Sequence, residues 1–353
     1  MKPQRIFFLA PARFDDLFQR HQAFAQILAA RNNEVFYVDP VASPGFSVKI
    51  KKKSGLLRVL SLNMPFRAAN FHFLQQLTGR LCLEMLKRRF KIGVEDLLWI
   101  ADPSMVEVCK NDWAKIVYDR CDRHGFFPGQ NHKAWSHYES QLFEKSDLIV
   151  ASHKAILEDI PARWAYKALL CGNACADGFS EKMKGRVGTK LTERPLKVVS
   201  AGAHYEWVDC RWLQMIAKNE NVELHLAGAG RGEEFAKLLQ MPRVNFRGRL
   251  DQHELFSLYR ESDVGLVPFK NSELVKAVDP IKVYEYAASG LQVWSTAVPS
   301  IADHPLVDRV VSSQSQLEQA VCDFAPTQKI RKVPCWSERL QTILDRMAGL
   351  QSD

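Results

Sequence analysis

A lysine and a glutamate three positions apart, Lys282 and Glu285, carry the most informative chemistry in the sequence. The surrounding residues predict a short helix, with Asp279 as its cap, Pro280 as its first residue and Gly290 as its left-handed stop. Residues three apart share one helix face. An ammonium at a helix N-terminus suits phosphate oxygens, and a carboxylate can accept hydrogen bonds from both ribose hydroxyls. The pair therefore indicates a nucleotide site, although the spacing also fits an ordinary ion pair on a solvated helix.

Strand-like and helical runs alternate along the whole chain and must position these residues. In the first half, strands are expected at 5–9, 34–38, 97–101, 115–119, 148–151 and 166–170, and helices at 18–31, 71–90 and 134–145. In the second half, strands are expected at 196–200, 222–227, 244–247, 264–268 and 291–295, and helices at 210–219, 233–239, 253–261 and 280–289. This alternation predicts an α/β protein with two doubly wound, Rossmann-like parallel sheets.

The 353 residues fit two domains of ordinary size. We expect an N-terminal domain at 1–175, a linker at 176–195 and a C-terminal domain at 196–353 that ends in a closing helix. In doubly wound sheets, ligands bind beyond the carboxyl ends of the strands. The informative residues should therefore follow strands.

Two glycine-containing runs after predicted strands agree with that expectation. The first contains Gly202 and His204, and the second contains Gly230. Glycine there lets backbone come close to a ligand, although tight packing also selects it. A dinucleotide dehydrogenase is disfavoured, because Glu233 occupies the third glycine position of the fingerprint in the second half and no such fingerprint follows the first strand.

Composition narrows the class further. Hydrophobic residues make up 46% of the chain and charged residues 25%, as in ordinary globular proteins. The eight cysteines form no C-x-x-C pair, so neither a zinc site nor a disulfide framework is indicated. No uncharged apolar stretch is long enough to span a bilayer. These features predict a cytoplasmic location with reduced thiols.

The net charge of +8 is concentrated in residues 48–91, which contain eleven Lys or Arg and one acid, Glu84. Aromatic and aliphatic residues alternate with these cations, a mixture expected at an anionic membrane surface. Nucleic acid is disfavoured as a partner, because no recognised nucleic-acid motif accompanies the charge. A solvated basic face remains an alternative explanation. The membrane interpretation predicts peripheral binding at the inner face of the plasma membrane.

The chain resembles the GT-B glycosyltransferases over nearly its whole length, strongly in the second half and loosely in the first. The residues that carry the resemblance are the strand 262–269, the helix from Asp279 to Gly290, the Gly202 run, the strand 222–227 leading into Gly230, and the run 244–248. The connection beginning at residue 172 and a terminal helix near residue 336 also match. Within the fold, the chain is most similar to bacterial enzymes that assemble surface polysaccharides, including the xanthan glucuronosyltransferase type. The resemblance implies a nucleoside diphosphate sugar donor, with UDP as the expected nucleotide.

One position departs from the family pattern. Many retaining members carry two glutamates separated by seven residues, and the second corresponds to Glu285. The position of the first is Ala277 here, so the motif does not support a retaining mechanism. Lys276, Glu273 and Asn271 lie nearby and could contact the sugar or a phosphate, or belong to a plain surface loop.

An inverting transfer needs a base that takes the acceptor hydroxyl proton. Asp119, Asp122 and His124 follow a strand of the first half and are the candidates. By resemblance to the xanthan-type enzymes, Asp122 is the closest match to the base, although an Asp in such a loop can also cap a turn. Asp119 is expected to make a structural hydrogen bond. The flanking Arg120 and Arg123 are expected to lower the pKa of a neighbouring carboxylate.

The remaining expectations concern ligands. Negative charge on the departing diphosphate would be offset by Lys282, the helix N-terminus behind it and the Gly202 run. Arg13 lies where an acceptor or donor phosphate could be contacted, but a salt bridge to Asp15 or Asp16 would explain it as well. No Asp-x-Asp pair is placed to hold a metal, so a metal-independent reaction without a cofactor is expected. The basic segment suggests a lipid-linked sugar acceptor. The alternatives are a nonhydrolysing nucleotide-sugar epimerase and a non-catalytic subunit that binds sugar nucleotides.

Overall fold

The computed structural model describes residues 3–42, 44–65, 69–183, 195–325 and 330–350. The chain divides into two compact units, one made of residues 1–172 with 337–353 and the other of residues 173–336. Most of the predicted linker, residues 184–194, lies outside the described residues, as do residues 66–68 of the basic segment. No helix in the described part of the chain is long and apolar enough to cross a membrane.

The first unit contains a mixed sheet covered by helices. Its strands are β1 (Arg5–Leu9), β2 (Glu34–Val38), β3 (Ser47–Ser54), β4 (Leu57–Asn63), β5 (Leu97–Ile100), β6 (Lys115–Arg120), β7 (Leu148–Ala151) and β8 (Ala168–Leu170). Its helices are α1 (Arg20–Ala30), α2 (His72–Phe90), α3 (His132–Lys145), α4 (Lys154–Glu158) and α12 (Trp336–Gly349), with 3₁₀ segments at Pro103–Lys110, His124–Phe126 and Ala162–Lys167. The strand order is β3-β4-β2-β1-β5-β6-β7-β8, parallel except for β3. Buried apolar strands such as β5 and β7 fit a sheet covered on both faces.

The hairpin β3–β4 was not predicted. Its first strand, SVKIKKKS, contains four lysines and was interpreted only as basic sequence. β3 is the antiparallel edge of the sheet, and lysines suit an edge because they oppose pairing with another chain. The turn is made at Gly55, whose φ is +58°.

The C-terminal helix packs with the first unit, whereas the sequence placed it with the second. Its residues Leu344 and Met347 line a cavity together with Leu28 of α1. The Lys115 ammonium donates a hydrogen bond to the carbonyl of Met347 at 2.9 Å. The apolar face of α12 therefore completes the core of the first unit, and the unit boundary falls after residue 172 instead of 175.

A buried ion pair joins α1 to the middle of the first sheet. Arg20 is 2% exposed and Asp119, on β6, is fully buried. The guanidinium Nε lies 3.0 Å from a carboxylate oxygen of Asp119, and the indole N–H of Trp99 donates to the same carboxylate at 3.2 Å. Arg20 also donates to the carbonyl of Cys171 at 2.8 Å. Asp119 thus has a structural role, as expected from the sequence.

The second unit contains a parallel six-stranded sheet. Its strands are β9 (Leu196–His204), β10 (Val222–Gly230), β11 (Val244–Phe246), β12 (Val264–Val267), β13 (Gln292–Ser295) and β14 (Arg309–Val310). Its helices are α5 (Phe179–Lys182), α6 (Cys210–Ala217), α7 (Glu233–Leu239), α8 (Gln252–Glu261), α9 (Ile281–Ala288), α10 (Pro299–Ala302) and α11 (Gln314–Cys322), with a 3₁₀ turn at Val275–Ala277. The strand order is β11-β10-β9-β12-β13-β14. The two predicted α/β sheets are confirmed.

Candidate functional site

The helix predicted around Lys282 is α9, but its N-terminus differs from the prediction. It begins at Ile281 and the preceding Pro280 is extended, so Asp279 does not cap it. Instead, the Asp279 carboxylate accepts hydrogen bonds from the Tyr284 hydroxyl at 2.9 Å and from the backbone N–H of Asn173. These bonds hold the start of α9 from within the second unit. The predicted left-handed stop is confirmed, because Gly290 has a φ of +73°.

Tyr286 fixes α9 against the sheet. Its buried ring lies directly over Gly265 of β12, so close that a Cβ built on Gly265 would be 2.2 Å from the ring. The backbone N–H of Ala201, on β9, donates a hydrogen bond to the Tyr286 hydroxyl at 2.9 Å. Two neighbouring strands therefore determine where the helix sits.

Lys282 and Glu285 form an ion pair, with Nζ and Oε2 2.6 Å apart. Their side chains are 27% and 13% exposed, so the pair lies at the surface of the unit without being fully solvated. The hydroxyl of Tyr259, on α8, donates to the same Oε2 at 2.9 Å. The sequence did not indicate Tyr259, because nothing distinguishes it there from other aromatic residues of an amphipathic helix.

The glycine runs extend strands and do not form turns after them. β9 continues through Gly202 to His204, and β10 continues to Gly230. Gly228 pairs with Gly202 in register and has a φ of +117°. A Cβ on Gly228 would lie 1.9 Å from the carbonyl oxygen of Gly202. Only glycine allows the carboxyl ends of these two strands to approach so closely.

His204 and Gly230 have packing roles in the structure. His204 is 2% exposed, and its ring stacks on Phe235 with centroids 5.5 Å apart. Burial lowers the pKa of His204 to about 4, so the ring is neutral at neutral pH. A Cβ on Gly230 would lie 2.3 Å from the Phe235 ring. The structure therefore gives the His204 side chain a buried packing position, and its role in substrate binding stays a prediction.

Two predicted phosphate contacts lie in exposed segments. Lys276, in the 3₁₀ turn before α9, forms an ion pair with Glu273. Arg13 follows β1, and its backbone N–H donates to a carboxylate oxygen of Asp16 at 3.2 Å. Asp15, the other acid considered for Arg13, pairs with Lys51 at 2.6 Å. The roles of Lys276 and Arg13 stay predictions.

Asp122 lies just beyond the carboxyl end of β6, the position at which ligands meet doubly wound sheets. Its side chain is partly buried, and that burial raises the pKa of Asp122 to about 6. Among the residues described, none forms a hydrogen bond or ion pair with its carboxylate. A carboxyl group with a raised pKa and unused oxygens is typical of a group that exchanges protons.

The two flanking arginines do not act on Asp122 as expected. Arg120 binds Glu139 at 2.7 Å and Asp159 at 3.1 Å. Arg123 also binds Asp159, at 2.8 Å. Since both guanidiniums are directed to other carboxylates, burial dominates at Asp122 and the expected lowering of its pKa was wrong.

The other proton-transfer candidate of that loop is less available. His124 is buried, and its ring stacks on Trp135 with centroids 5.5 Å apart and planes 9° from parallel. An imidazolium at His124 would lie near enough to Asp122 to favour its ionised carboxylate. His124 therefore suits a supporting position better than that of a base.

Among the residues described, one cluster of side chains has the composition of a metal site. It contains His21, Asp119 and Cys121, whose ligand atoms lie within 4.8 Å of one another. Asp119 is already engaged by the Arg20 guanidinium at 3.0 Å. Burial raises the pKa of the Cys121 thiol well above its usual value, whereas a metal needs the thiolate. The cluster fits a neutral structural contact, in which Cys121 Sγ lies 3.4 Å from His21 Nε2.

Comparison with known families places Lys282 and Glu285 inside one matched segment. Residues 204–324 match the family model described as glycosyl transferases group 1. The chain is also 31% identical over 98 residues to the putative teichuronic acid biosynthesis glycosyltransferase TuaH of Bacillus subtilis (strain 168). That alignment covers 24% of this chain and 24% of the relative, so the chain spans about a quarter of the relative's length.

Solved structures match almost the whole chain at low sequence identity. One, described as trehalose-6-phosphate from E. coli bound with UDP-2-fluoro glucose, has a TM-score of 0.64 and 12% identity and covers 99% of both chains. A second, of trehalose-6-phosphate synthase, is described in terms of glycosyl transfer with retention. It has a TM-score of 0.61 and 13% identity and covers 98% of this chain and 96% of that one.

These findings define the fold of the protein. The fold is the α/β fold of GT-B glycosyltransferases, with two Rossmann-like units, and the resemblance found in the sequence is confirmed. The second unit carries the segment that matches glycosyl transferases group 1. The finer likeness to xanthan-type enzymes stays a prediction.

The contact between Tyr286 and Gly265 generates a stability prediction. Gly265→Ala should destabilise the second unit by about 1–3 kcal/mol, because the new methyl group forces the pinned ring and α9 away from the sheet. Gly93→Ala is the matched control, since a Cβ there meets nothing within 4 Å. Urea unfolding followed by tryptophan fluorescence measures both variants. Equal stability of the two variants would contradict the assigned packing.

Proposed function

We propose that this protein is an enzyme that transfers a sugar from a UDP-linked donor to an acceptor hydroxyl, with inversion and without a metal. The reaction would serve bacterial polysaccharide or glycolipid assembly, as the name of the Bacillus subtilis relative suggests for that protein. The observation that carries the proposal is the Lys282–Glu285 pair on α9, inside the segment that matches glycosyl transferases group 1.

The donor side of the proposal rests on charge and position. Lys282 is in the first turn of α9, where its ammonium and the free backbone N–H groups can neutralise a diphosphate. Glu285, one turn later, presents a carboxylate to the ribose hydroxyls. Gly202 is partly exposed and a Cβ built there would meet nothing within 4 Å, so backbone at this strand end is open to a ligand without a side chain in the way.

Asp122 is the proposed base. A carboxyl with a pKa of about 6 is ionised at neutral pH and still basic enough to accept a proton from a hydroxyl as it attacks. Inversion follows from this role, since a base on the acceptor supports a single displacement. Ala277, where many retaining relatives have a glutamate, is 1% exposed and has no group that could contact the sugar.

Membrane binding is proposed for an apolar strip at the start of α2, made of Phe71, which directly precedes the helix, and of Phe73, Leu74 and Leu77. Phe71 and Phe73 are 68% and 76% exposed. The last turn of the same helix carries Lys87, Arg88 and Arg89. A helix with exposed aromatic residues at one end and cations at the other suits the headgroup region of an anionic bilayer. The proposed acceptor is accordingly lipid-linked.

The function is tested by incubating the protein with bacterial membranes and a panel of radiolabelled nucleotide sugars. We expect label to move into the lipid extract, and NMR of the product linkage to show inversion. Label recovered only as a free epimer would support the epimerase instead. Nucleotide binding without any turnover would support a non-catalytic subunit.

The role of Asp122 predicts a large kinetic effect. Asp122→Asn should slow transfer by roughly 100- to 10,000-fold, because the base is lost while the donor site is untouched. In the unmodified enzyme, the rate should rise with pH through about 6, as the Asp122 carboxyl loses its proton and becomes a base. The exposed Asp112→Asn is the control and should change neither the rate nor its pH profile. Near-normal turnover of Asp122→Asn would remove Asp122 from this role.

The apolar strip predicts salt-sensitive liposome binding. In flotation experiments, the protein should bind vesicles that contain anionic lipid and bind neutral vesicles weakly. Phe71→Ser combined with Phe73→Ser should reduce binding, since two exposed aromatic anchors are lost. Phe126→Ser is a control, because that residue is 41% exposed outside the strip. If the protein does not float with the vesicles, or if the double change does not reduce flotation, membrane binding is contradicted and the basic segment is a solvated face.

A further inference from the structure

One oxygen of the Glu285 carboxylate receives two donors. Lys282 Nζ lies 2.6 Å from Oε2, and the Tyr259 hydroxyl lies 2.9 Å from the same atom. Within the described part of the chain, no hydrogen bond to Oε1 is formed. Occupation of Oε2 from the protein side therefore leaves Oε1 for a ligand.

The position of the Tyr259 hydroxyl is fixed by packing. The residue is fully buried on α8, and its ring contacts Tyr286 edge-on, with centroids 5.3 Å apart. Phe179 contacts the ring from another side, with centroids 6.4 Å apart. Burial and the nearby carboxylate raise the pKa of Tyr259 well above its usual value. The hydroxyl therefore remains a hydrogen-bond donor throughout the accessible pH range.

A bound nucleotide would affect the two hydrogen-bond donors to Glu285 differently. Lys282 is flexible and partly exposed, and its ammonium is the group that a diphosphate would attract. If the ammonium turns toward phosphate, Glu285 loses its charge partner. The bond from Tyr259 does not depend on the ligand, because the ring cannot move without disturbing the core.

We propose that Tyr259 is a positioning residue that holds Glu285 for recognition of the ribose and so makes the site selective for ribonucleotides. The inference rests on the proposed function, in which Glu285 accepts hydrogen bonds from the ribose hydroxyls. The buried Tyr259 hydroxyl, which lies on a different helix from Glu285, orients that carboxylate. A nucleotide lacking the 2′-hydroxyl is discriminated against only while this orientation is kept.

The test is calorimetric binding of UDP and 2′-deoxy-UDP, with GDP and its 2′-deoxy form in parallel, to the full chain. The unmodified protein should bind the ribonucleotide more tightly than the deoxynucleotide. Tyr259→Phe keeps the ring and removes the hydroxyl, so it should weaken ribonucleotide binding by roughly tenfold, the usual effect of losing a hydrogen bond to a charged group. Deoxynucleotide binding should change much less, so the ratio of the two affinities should shrink.

Two further variants sharpen the test. Tyr118→Phe is the matched control, because Tyr118 is a buried tyrosine of the first unit that donates to Glu139 at 3.0 Å. It should leave both affinities unchanged. In a Glu285→Gln background, Tyr259→Phe should have little further effect on the affinity ratio, since the two residues act through one contact.

Each outcome has a distinct meaning. A protein that binds none of these nucleotides overturns the proposed function and this inference with it. A protein that binds ribonucleotides and deoxynucleotides equally keeps a donor site but contradicts the role of Glu285, and hence that of Tyr259. If Tyr259→Phe weakens both nucleotides by the same factor, the residue is merely structural and the inference is wrong.

Discussion

The position of α9 depends on the contact between the Tyr286 ring and Gly265. Because Gly265 has no Cβ, the ring can lie on β12, and the Tyr286 hydroxyl then reaches the backbone N–H of Ala201 on β9. β9 and β12 pair only as far as Val199 and Gly265, so that N–H is available to the side chain. Beyond the last paired residues, the Tyr286 side chain therefore binds β9 in place of β12. This contact joins α9 to the sheet next to Gly202.

The polar groups of α9 are arranged around this anchor. Tyr286 is buried next to Glu285, and the buried Tyr259 packs edge-on against Tyr286 while donating to the Glu285 carboxylate. At the start of the helix, Asp279 accepts bonds from Tyr284 and from the backbone of Asn173. Lys282 and Glu285 are therefore placed by buried neighbours, as a binding site requires when it is to be formed before its ligand arrives.

The first unit uses a buried charge for a similar purpose. Arg20 and Asp119 join α1 to β6, and β6 delivers the loop that contains Asp122. Removing one partner of such a pair leaves an uncompensated buried charge, so the arrangement is strongly constrained. Arg120 and Arg123 are bound to Glu139 and Asp159. The Asp122 carboxyl thereby keeps a pKa raised by burial, which suits proton transfer.

The sequence was sufficient for the parallel strands of the two sheets, because these strands are apolar runs separated by helical periods. It was also sufficient for the Lys282–Glu285 pair, whose spacing is local. It was insufficient wherever a distant partner decides the outcome. Asp279 bonds Asn173 and Tyr284 and does not cap α9. Burial raises the pKa of Asp122, since its neighbouring arginines bind other carboxylates. The burial of His204 against Phe235 is likewise decided by a distant residue. Tyr259 and the hairpin β3–β4 gave no sequence signal, since a buried hydroxyl contact and a lysine-rich edge strand become apparent only in three dimensions.

The central claim is that α9 holds a nucleotide through Lys282 and Glu285. A crystal structure of the protein soaked with UDP tests it most directly. The account predicts diphosphate oxygens at the Lys282 ammonium and a ribose hydroxyl within about 2.6–3.2 Å of Glu285 Oε1, with Tyr259 still bonded to Oε2. Nucleotide bound away from α9, or bound with the Lys282–Glu285 ion pair intact and turned from the ligand, would contradict it.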